Sequence, residues 1–310
     1  MNASMTILKS LGRYDAQARE SLTNRNIIAT FFEHASNSPD KAALIISNPR
    51  FFRDPLETVI TYRTIAADTI RTAERLKARG FRKGDRILVF IPMSYSLYVT
   101  ILAILYLGAE AVFIDAWADR KRLTDCCKVV KPKGFIGSAI AQMLRLTPEI
   151  RRIPIKLVDR QVLSPHHGER PGAVLAYPEI VKDDDTAVIT LTTGTTGLPK
   201  GAEKSHGLLW NQFAILNNYL KIQKTNIDMT IIPVYVLQSL GLGVTSVLPL
   251  VSPTKPTAFS PPMIVRQLLH HKVTSILGSP AFFEKLAAYV LEKGIILPVQ
   301  RIGIGGAPIF

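Results

Sequence analysis

Ile189 to Lys200 reads I-T-L-T-T-G-T-T-G-L-P-K, with five threonines, two glycines and one lysine in twelve residues, entered from the apolar run Ala187-Val188-Ile189. A strand opening into such a loop suits phosphate. Gly194 and Gly197 carry no Cβ, so the backbone is free to take positive φ and turn successive N–H groups toward one point, which makes an anion-binding concavity. Thr192, Thr193, Thr195 and Thr196 add hydroxyl donors, and Lys200 adds a full positive charge. The spacing is not that of the Walker A loop, which needs G-x-x-x-x-G-K-[ST]. Here the two glycines lie three apart, and Leu198-Pro199 separates the second from the lysine.

Working outward from this loop, strand and helix alternate. Toward the N-terminus, Asn26 to Ala35 reads as a short amphipathic helix, Ala42 to Ile46 as a strand, and Tyr62, Ile65, Thr69, Ala73 and Leu76 share one helical face that ends at Gly80. Arg86 to Ile91 is a nearly continuous apolar run of the kind buried on both faces of a parallel sheet. Ser94 to Leu107 reads as a helix, Ala111 to Ile114 as a strand, Lys121 to Val130 as a helix, and Gly134 to Gly137 and Ile155 to Val158 as strands around a helical Ala139 to Leu146. Leu163 to Asp185 has no sustained period and reads as a boundary loop. Within it, His166-His167 and Asp183-Asp184-Asp185 are taken as solvated turns rather than metal ligands. After the loop, Ser205 suits the N-cap of a helix over 207–220, Met229 to Ile232 reads as a strand, and a helix begins at Pro233. Ser260-Pro261 and Ser279-Pro280 each start a helix, with a strand at 273–277 between them. The alternation predicts an α/β fold of doubly wound sheets with right-handed crossovers.

Composition narrows the function. A chain of 310 residues is long enough for two subdomains. Its formal charge of +14 invites a nucleic-acid reading, but the basic residues are scattered and no helix interleaves arginine with aromatics, so no nucleic-acid partner is expected. Cys126 and Cys127 are the two cysteines, adjacent and without zinc-finger spacing, which points to a cytoplasmic protein. The start is too polar for a signal peptide, and Gly108 and Glu110 break the apolar run over 98–107, so no transmembrane segment is expected.

The stretch over 189–200 also resembles the phosphate-binding signature of the adenylate-forming superfamily, which includes acyl-CoA synthetases, luciferases and the adenylation domains of peptide synthetases. Pro39-Asp40 to Ile46 is similar to the family's turn into its first strand, 201–206 to its continuation from the loop into a helix, and Gly305-Gly306-Ala307-Pro308 to its adenine-lining segment. The resemblance implies two stacked doubly wound sheets flanked by helices. It implies a lead-in over 1–25 and an N-terminal adenylation domain over 26–310, with subdomains at 62–204 and at 26–61 plus 205–310 and no C-terminal domain. ATP and Mg²⁺ are the implied cofactors, with CoA possible, and a carboxylic acid is the implied substrate. Thr192, Thr193, Gly194, Thr195, Thr196, Gly197 and Lys200 would hold phosphates, Thr196 would stand near Mg²⁺, and Gly305, Gly306 and Ala307 would line the adenine. Tyr235, Val236 and Gly241 would border the acyl pocket. Val236 stands where many acyl-CoA synthetases carry a histidine, and His206 recurs either beside the loop or in local packing. The segment over 233–243, with Phe113-Ile114-Asp115, is similar to the branch containing the olefin β-lactone synthetases. The family's magnesium-binding glutamate, ribose-binding aspartate and catalytic lysine would all follow Phe310. The expectation is therefore a fragment incomplete for catalysis, with a nucleotide- or acyl-binding module as the alternative.

Overall fold

The structure is a computed structural model, described over residues 25–47, 57–114, 120–163, 177–192, 200–251 and 258–305. Two six-stranded sheets organise it. The first takes its strands from both ends of the chain: β1 (Ala42–Ser47), β2 (Glu57–Thr61), β9 (Ile227–Thr230), β10 (Thr245–Leu248), β11 (Ser275–Gly278) and β12 (Arg301–Ile304), in the order β12-β11-β9-β10-β1-β2. The second is built from the middle: β3 (Arg86–Phe90), β4 (Glu110–Ile114), β5 (Gly134–Gly137), β6 (Ile155–Val158), β7 (Thr186–Thr192) and β8 (Lys200–Ser205), in the order β6-β5-β3-β4-β7-β8. Each sheet is parallel except at one edge, where β2 runs against β1 and β8 against β7. Both antiparallel strands follow their partners through short connections, which need no crossover helix.

Side-chain alternation divides the core into three layers. Leu44 of β1, Ile87 and Val89 of β3, and Ala111 of β4 join a central cluster shared by the two sheets. Their neighbours Ile45, Leu88 and Val112 face outward, Ile45 into the layer on the far side of the first sheet, Leu88 and Val112 into the layer on the far side of the second. Two helices fill the centre. In α2 (Tyr62–Ala78), buried Tyr62, Ile65, Thr69, Ala73 and Leu76 recur at helical spacing; its Thr61 cap accepts a bond from Thr64 N at 3.2 Å, and Gly80 beyond its end takes φ +96°. In α3 (Tyr95–Tyr106), every residue from Leu97 to Leu105 is buried, as suits a helix apolar on all sides. Ser94 caps it, accepting from Leu97 N at 3.3 Å.

Outside the sheets, α9 (Pro261–His270) and α10 (Pro280–Glu292) cover the first sheet through Ile264, Val265, Leu268, Phe282 and Leu286. The far face of the second is covered by Leu123, Cys126 and Val130 from α4 (Arg120–Val130) and by Ile150 from the short α5 (Pro148–Arg152). Expectation and structure differ in several places. Residues 140–146 form a 3-10 helix with no buried residue, 200–205 leads into the helix from His206 as expected but does so as a strand, and β10 occupies residues assigned no element. Ser279 accepts a capping bond from Phe282 N at 3.3 Å, whereas Ser260 makes no side-chain cap. Of the three aspartates over 183–185, two are ion-paired: Asp183 with Arg25 at 2.6 Å and Asp185 with Lys83 at 2.7 Å. No helix among the described residues is long and apolar enough to cross a membrane.

Candidate active site

The loop after β7 is closed at its base by strand pairing. Thr192 and Lys200 are register partners in the β7–β8 ladder, so the intervening seven residues leave the sheet and return to it side by side. Lys200 is thereby carried back to within about 5 Å, Cα to Cα, of the strand end that launched the loop. Thr193, Gly194, Thr195, Thr196 and Gly197 lie outside the described residues, as do Gly306 and Ala307. Gly305 is the first residue beyond β12. Its N–H donates to Gly278 O at 3.0 Å, and the space where a Cβ would stand is open.

Against β7 and β8 lies a cavity of about 300 Å³. Val188 and Thr190 of β7 and Lys204 of β8 form one wall, Ile101, Leu102 and Leu105 of α3 a second, and Ile27, Ile28 and Phe31 a third, Phe31 lying in α1 (Ala29–Asn37). Leu209 and Phe213 of α7 (His206–Leu220) and Pro233, Val234, Leu237 and Gly241 of α8 (Pro233–Gly241) complete it. Thr190 and Lys204 are the polar members of this lining, and both sit on the strands that bracket the loop. Thr193 is three residue steps on from Thr190, about 10 Å of extended chain. On the opposite side, Ile232 and Pro233 follow the C-terminal end of β9, which neighbours β11, which in turn neighbours β12 and Gly305. Both sequence motifs therefore follow the C-terminal ends of strands, β7 and β12, where open α/β sheets bind their ligands, while the cavity runs along the middle of β7, with Lys204 the register partner of Val188.

Of the residues assigned to the acyl pocket, Gly241 lines the cavity. Tyr235 is half-buried beside it, and Val236 is fully buried in the central core with Leu240, on the other side of α8. The sequence offered no local signal for Ile27, Leu102 or Phe213, because the lining is gathered from segments more than two hundred residues apart.

Buried polar groups hold the N-terminal wall in place. Asn26, wholly buried, donates through Nδ2 to Leu105 O at 2.7 Å and to Glu179 O at 3.1 Å, while Trp210 Nε1 donates to Arg25 O at 2.9 Å. His206 is also wholly buried, and its Nδ1 accepts from Ile27 N at 3.1 Å. Burial pushes its imidazole down to about 4, against the opposing pull of Asp185. Neutral and accepting at Nδ1, the ring carries its proton on Nε2, which has no hydrogen-bond partner among the described residues. His206 thus joins the start of α7 to the segment that walls the cavity.

A family model described as AMP-binding enzyme matches residues 31–309, nearly the whole chain. The chain belongs to this AMP-binding enzyme family. Its curated relatives include an olefin beta-lactone synthetase of Stenotrophomonas maltophilia, 29% identical over 300 residues, covering 92% of this chain and 53% of that protein. Another is a feruloyl-CoA synthase of an Amycolatopsis species, 26% identical over 258 residues, covering 81% of this chain and 50% of that one. The chain thus spans about half the length of these relatives. Among solved structures, the N-terminal domain of FACL13 from Mycobacterium tuberculosis superposes with a TM-score of 0.75 at 20% identity, over 93% of this chain and 71% of that one. O-succinylbenzoate coenzyme A synthetase of Bacillus subtilis, solved with AMP, gives 0.72 at 20% identity, over 90% and 68%. At that identity the superpositions establish the fold: two mixed sheets flanked by helices, as in the N-terminal domains of adenylate-forming enzymes.

Proposed function

We propose that this chain forms the acid- and nucleotide-binding part of an enzyme that activates a carboxylic acid with ATP, the acid carrying a long apolar tail. A carboxylate oxygen attacks the α-phosphorus, the bond from that phosphorus to the bridging oxygen breaks, and pyrophosphate leaves with the electron pair, giving an acyl-adenylate. Two anions meet in this step, so positioning and charge neutralisation matter more than an acid or a base. Lys200 and the hydroxyls and amides from Thr192 to Gly197 are assigned to the β- and γ-phosphates, and Gly305 to Ala307 to the adenine. Mg²⁺ arrives with the nucleotide and supplies further neutralisation, with Thr196 as the hydroxyl assigned beside it.

The observation that carries the reading is the apolar cavity lined by the strands on either side of the loop. Its polar members, Thr190 and Lys204, lie on the two strands that hold the loop. A tail fits among Ile101, Leu102, Leu105 and Phe213 with its carboxylate toward Thr190, the lining residue of β7 nearest the loop. The olefin beta-lactone synthetases among the relatives, at 29% and 28% identity, favour a hydroxy-fatty acid and closure of the adenylate by its own hydroxyl. Transfer to CoA is the other outcome, and the feruloyl-CoA synthase relative is its support.

A binding experiment separates the parts of this assignment. Lys200→Ala should weaken ATP by roughly 10- to 100-fold, the worth of a charge-assisted hydrogen bond of about 1.5–3 kcal/mol. The same variant should leave a non-hydrolysable acyl-adenylate analogue, which lacks the β- and γ-phosphates, bound within about threefold of the parent. Equal losses for both ligands, or none for ATP, would remove Lys200 from the polyphosphate.

A further inference from the structure

Far from the cavity, at the outer edge of the first sheet, three side chains converge. Glu57 opens the edge strand β2, His270 ends α9, and His271 follows it. Among the described residues, this is the group in which three metal-ligating side chains meet, with one donor atom from each inside a 4.8 Å span. Glu57 Oε2 stands 3.4 Å from His271 Nε2 and 3.7 Å from His270 Nε2. Both separations exceed the roughly 2.7–2.9 Å of a direct charge-assisted N–H to carboxylate bond. They approach the separation of two donors sharing one ion, because metal–ligand bonds of about 2.0–2.1 Å at tetrahedral angles place neighbouring donors about 3.3–3.4 Å apart.

The surroundings hold this arrangement without metal. His271 N donates to Gln267 O at 3.0 Å, and Lys272 then turns the chain in the left-handed region at φ 51°. Gln267 Nε2 donates at 3.0 Å to Ser47 Oγ, and Ser47 is the register partner of Glu57 in the β1–β2 ladder. The end of α9 is therefore pinned to the strand beside Glu57. The two imidazoles stand edge to face, centroids 4.8 Å apart at 84°, so their Nε2 atoms approach the carboxylate from different directions. His271 is almost fully buried and His270 half exposed.

We propose that Glu57, His270 and His271 bind a divalent transition-metal ion, with zinc as the best match, fastening the edge strand to α9. Two imidazole nitrogens and one carboxylate oxygen suit zinc and disfavour magnesium or calcium, which prefer all-oxygen shells.

Titrating zinc chloride into the tag-free, chelator-treated chain by calorimetry should show one equivalent bound at micromolar affinity or tighter. X-ray absorption at the zinc edge should then report two imidazoles and a carboxylate at about 2.0–2.1 Å. His270→Ala and Glu57→Gln change partly exposed groups, so the metal-free melting temperature should hold while zinc affinity falls at least about tenfold in each. Zinc should raise the melting temperature of the parent and of neither variant. Absence of saturable binding overturns the proposal. So does unchanged affinity in either variant, which would place the ion elsewhere, His166-His167 included.

Discussion

At the scale of single residues, the strongest commitments are buried polar groups. His206 gives up its ordinary basicity to accept a bond from Ile27 N, and its imidazole sits at about 4 against 6.5 when free. Between those values the unfolded chain takes up a proton that the folded chain refuses, so stability rises with pH across that window and falls on acidification from pH 6.5 toward 4. The slope is worth at most about 3 kcal/mol from this residue. His34, likewise held at about 4 by burial, acts in the same direction. Urea unfolding at pH 7 and pH 5 should therefore show a loss that His206→Gln reduces, since glutamine still offers an acceptor but does not titrate. An equal loss in parent and variant would assign the acid sensitivity elsewhere. Tyr98 poses the opposite case. Its ring lies wholly buried in α3, and its hydroxyl has no partner among the described residues. Tyr98→Phe removes an unsatisfied polar atom and keeps the ring, so chemical denaturation should show stability unchanged or raised by up to about 1 kcal/mol. A loss above that would mean the hydroxyl is satisfied.

Secondary-structure elements show which parts of this fold are legible in the sequence. Arg86 to Phe90 and Tyr95 to Tyr106 can be read directly, because burial on both sides demands an unbroken apolar run. The strand β10 defeats that logic. It is buried throughout, yet its first two residues are Thr245 and Ser246, and Thr245 Oγ1 is satisfied by Ala42 O at 2.7 Å. At Thr245 a hydroxyl with an acceptor tolerates the interior, whereas Ser246 Oγ is buried with no hydrogen-bond partner among the described residues; polarity in the sequence then conceals a central strand. In K-G-A-E-K-S, β8 has no apolar alternation at all; pairing with β7 makes it a strand. The candidate site divides similarly. The loop motif is local and therefore visible, whereas the face that α8 gives to the cavity is a matter of helical geometry. Pro233, Val234, Leu237 and Gly241 fall on that face, while Val236 and Leu240, four apart, point into the core. Beside this apolar packing, Asp228 in β9 ties α8 to the first sheet. Buried, its carboxyl raised by desolvation, it accepts from Ser239 Oγ of α8 at 2.7 Å and also from Ser275 Oγ of β11. Asp228→Ala would strand both hydroxyls, at about 1–3 kcal/mol each, whereas Asp228→Asn keeps an acceptor and drops a buried charge. Thermal unfolding should thus show a loss of several kcal/mol for alanine and a much smaller one for asparagine. Similar losses for the two would make the site one of volume rather than hydrogen bonding.

On the scale of the whole molecule, the two sheets share one core but contribute different things to the site. The second sheet supplies the loop and the polar edge of the cavity; the first supplies the strand ends that lead to α8 and Gly305. A tail in the cavity would touch α1, α3, α7, α8 and β7 together, elements that meet only in the finished fold. Burying each methylene there should add about 0.8 kcal/mol, roughly fourfold in affinity, until the available space is filled. A series of acyl-adenylate analogues of increasing chain length should accordingly raise the melting temperature stepwise and then level off, since a ligand that binds only the folded state stabilises it in proportion to the logarithm of its affinity. Val234 tests whether this cavity is the one being filled. It lines the wall and is 37% exposed, so a larger side chain there has room toward solvent and should not strain the core. Val234→Trp should move the plateau to shorter chains while leaving the shortest analogue bound as before. A plateau unmoved by the substitution would put the tail outside the space between α3 and α8, and a response independent of chain length would mean that no tail is buried at all.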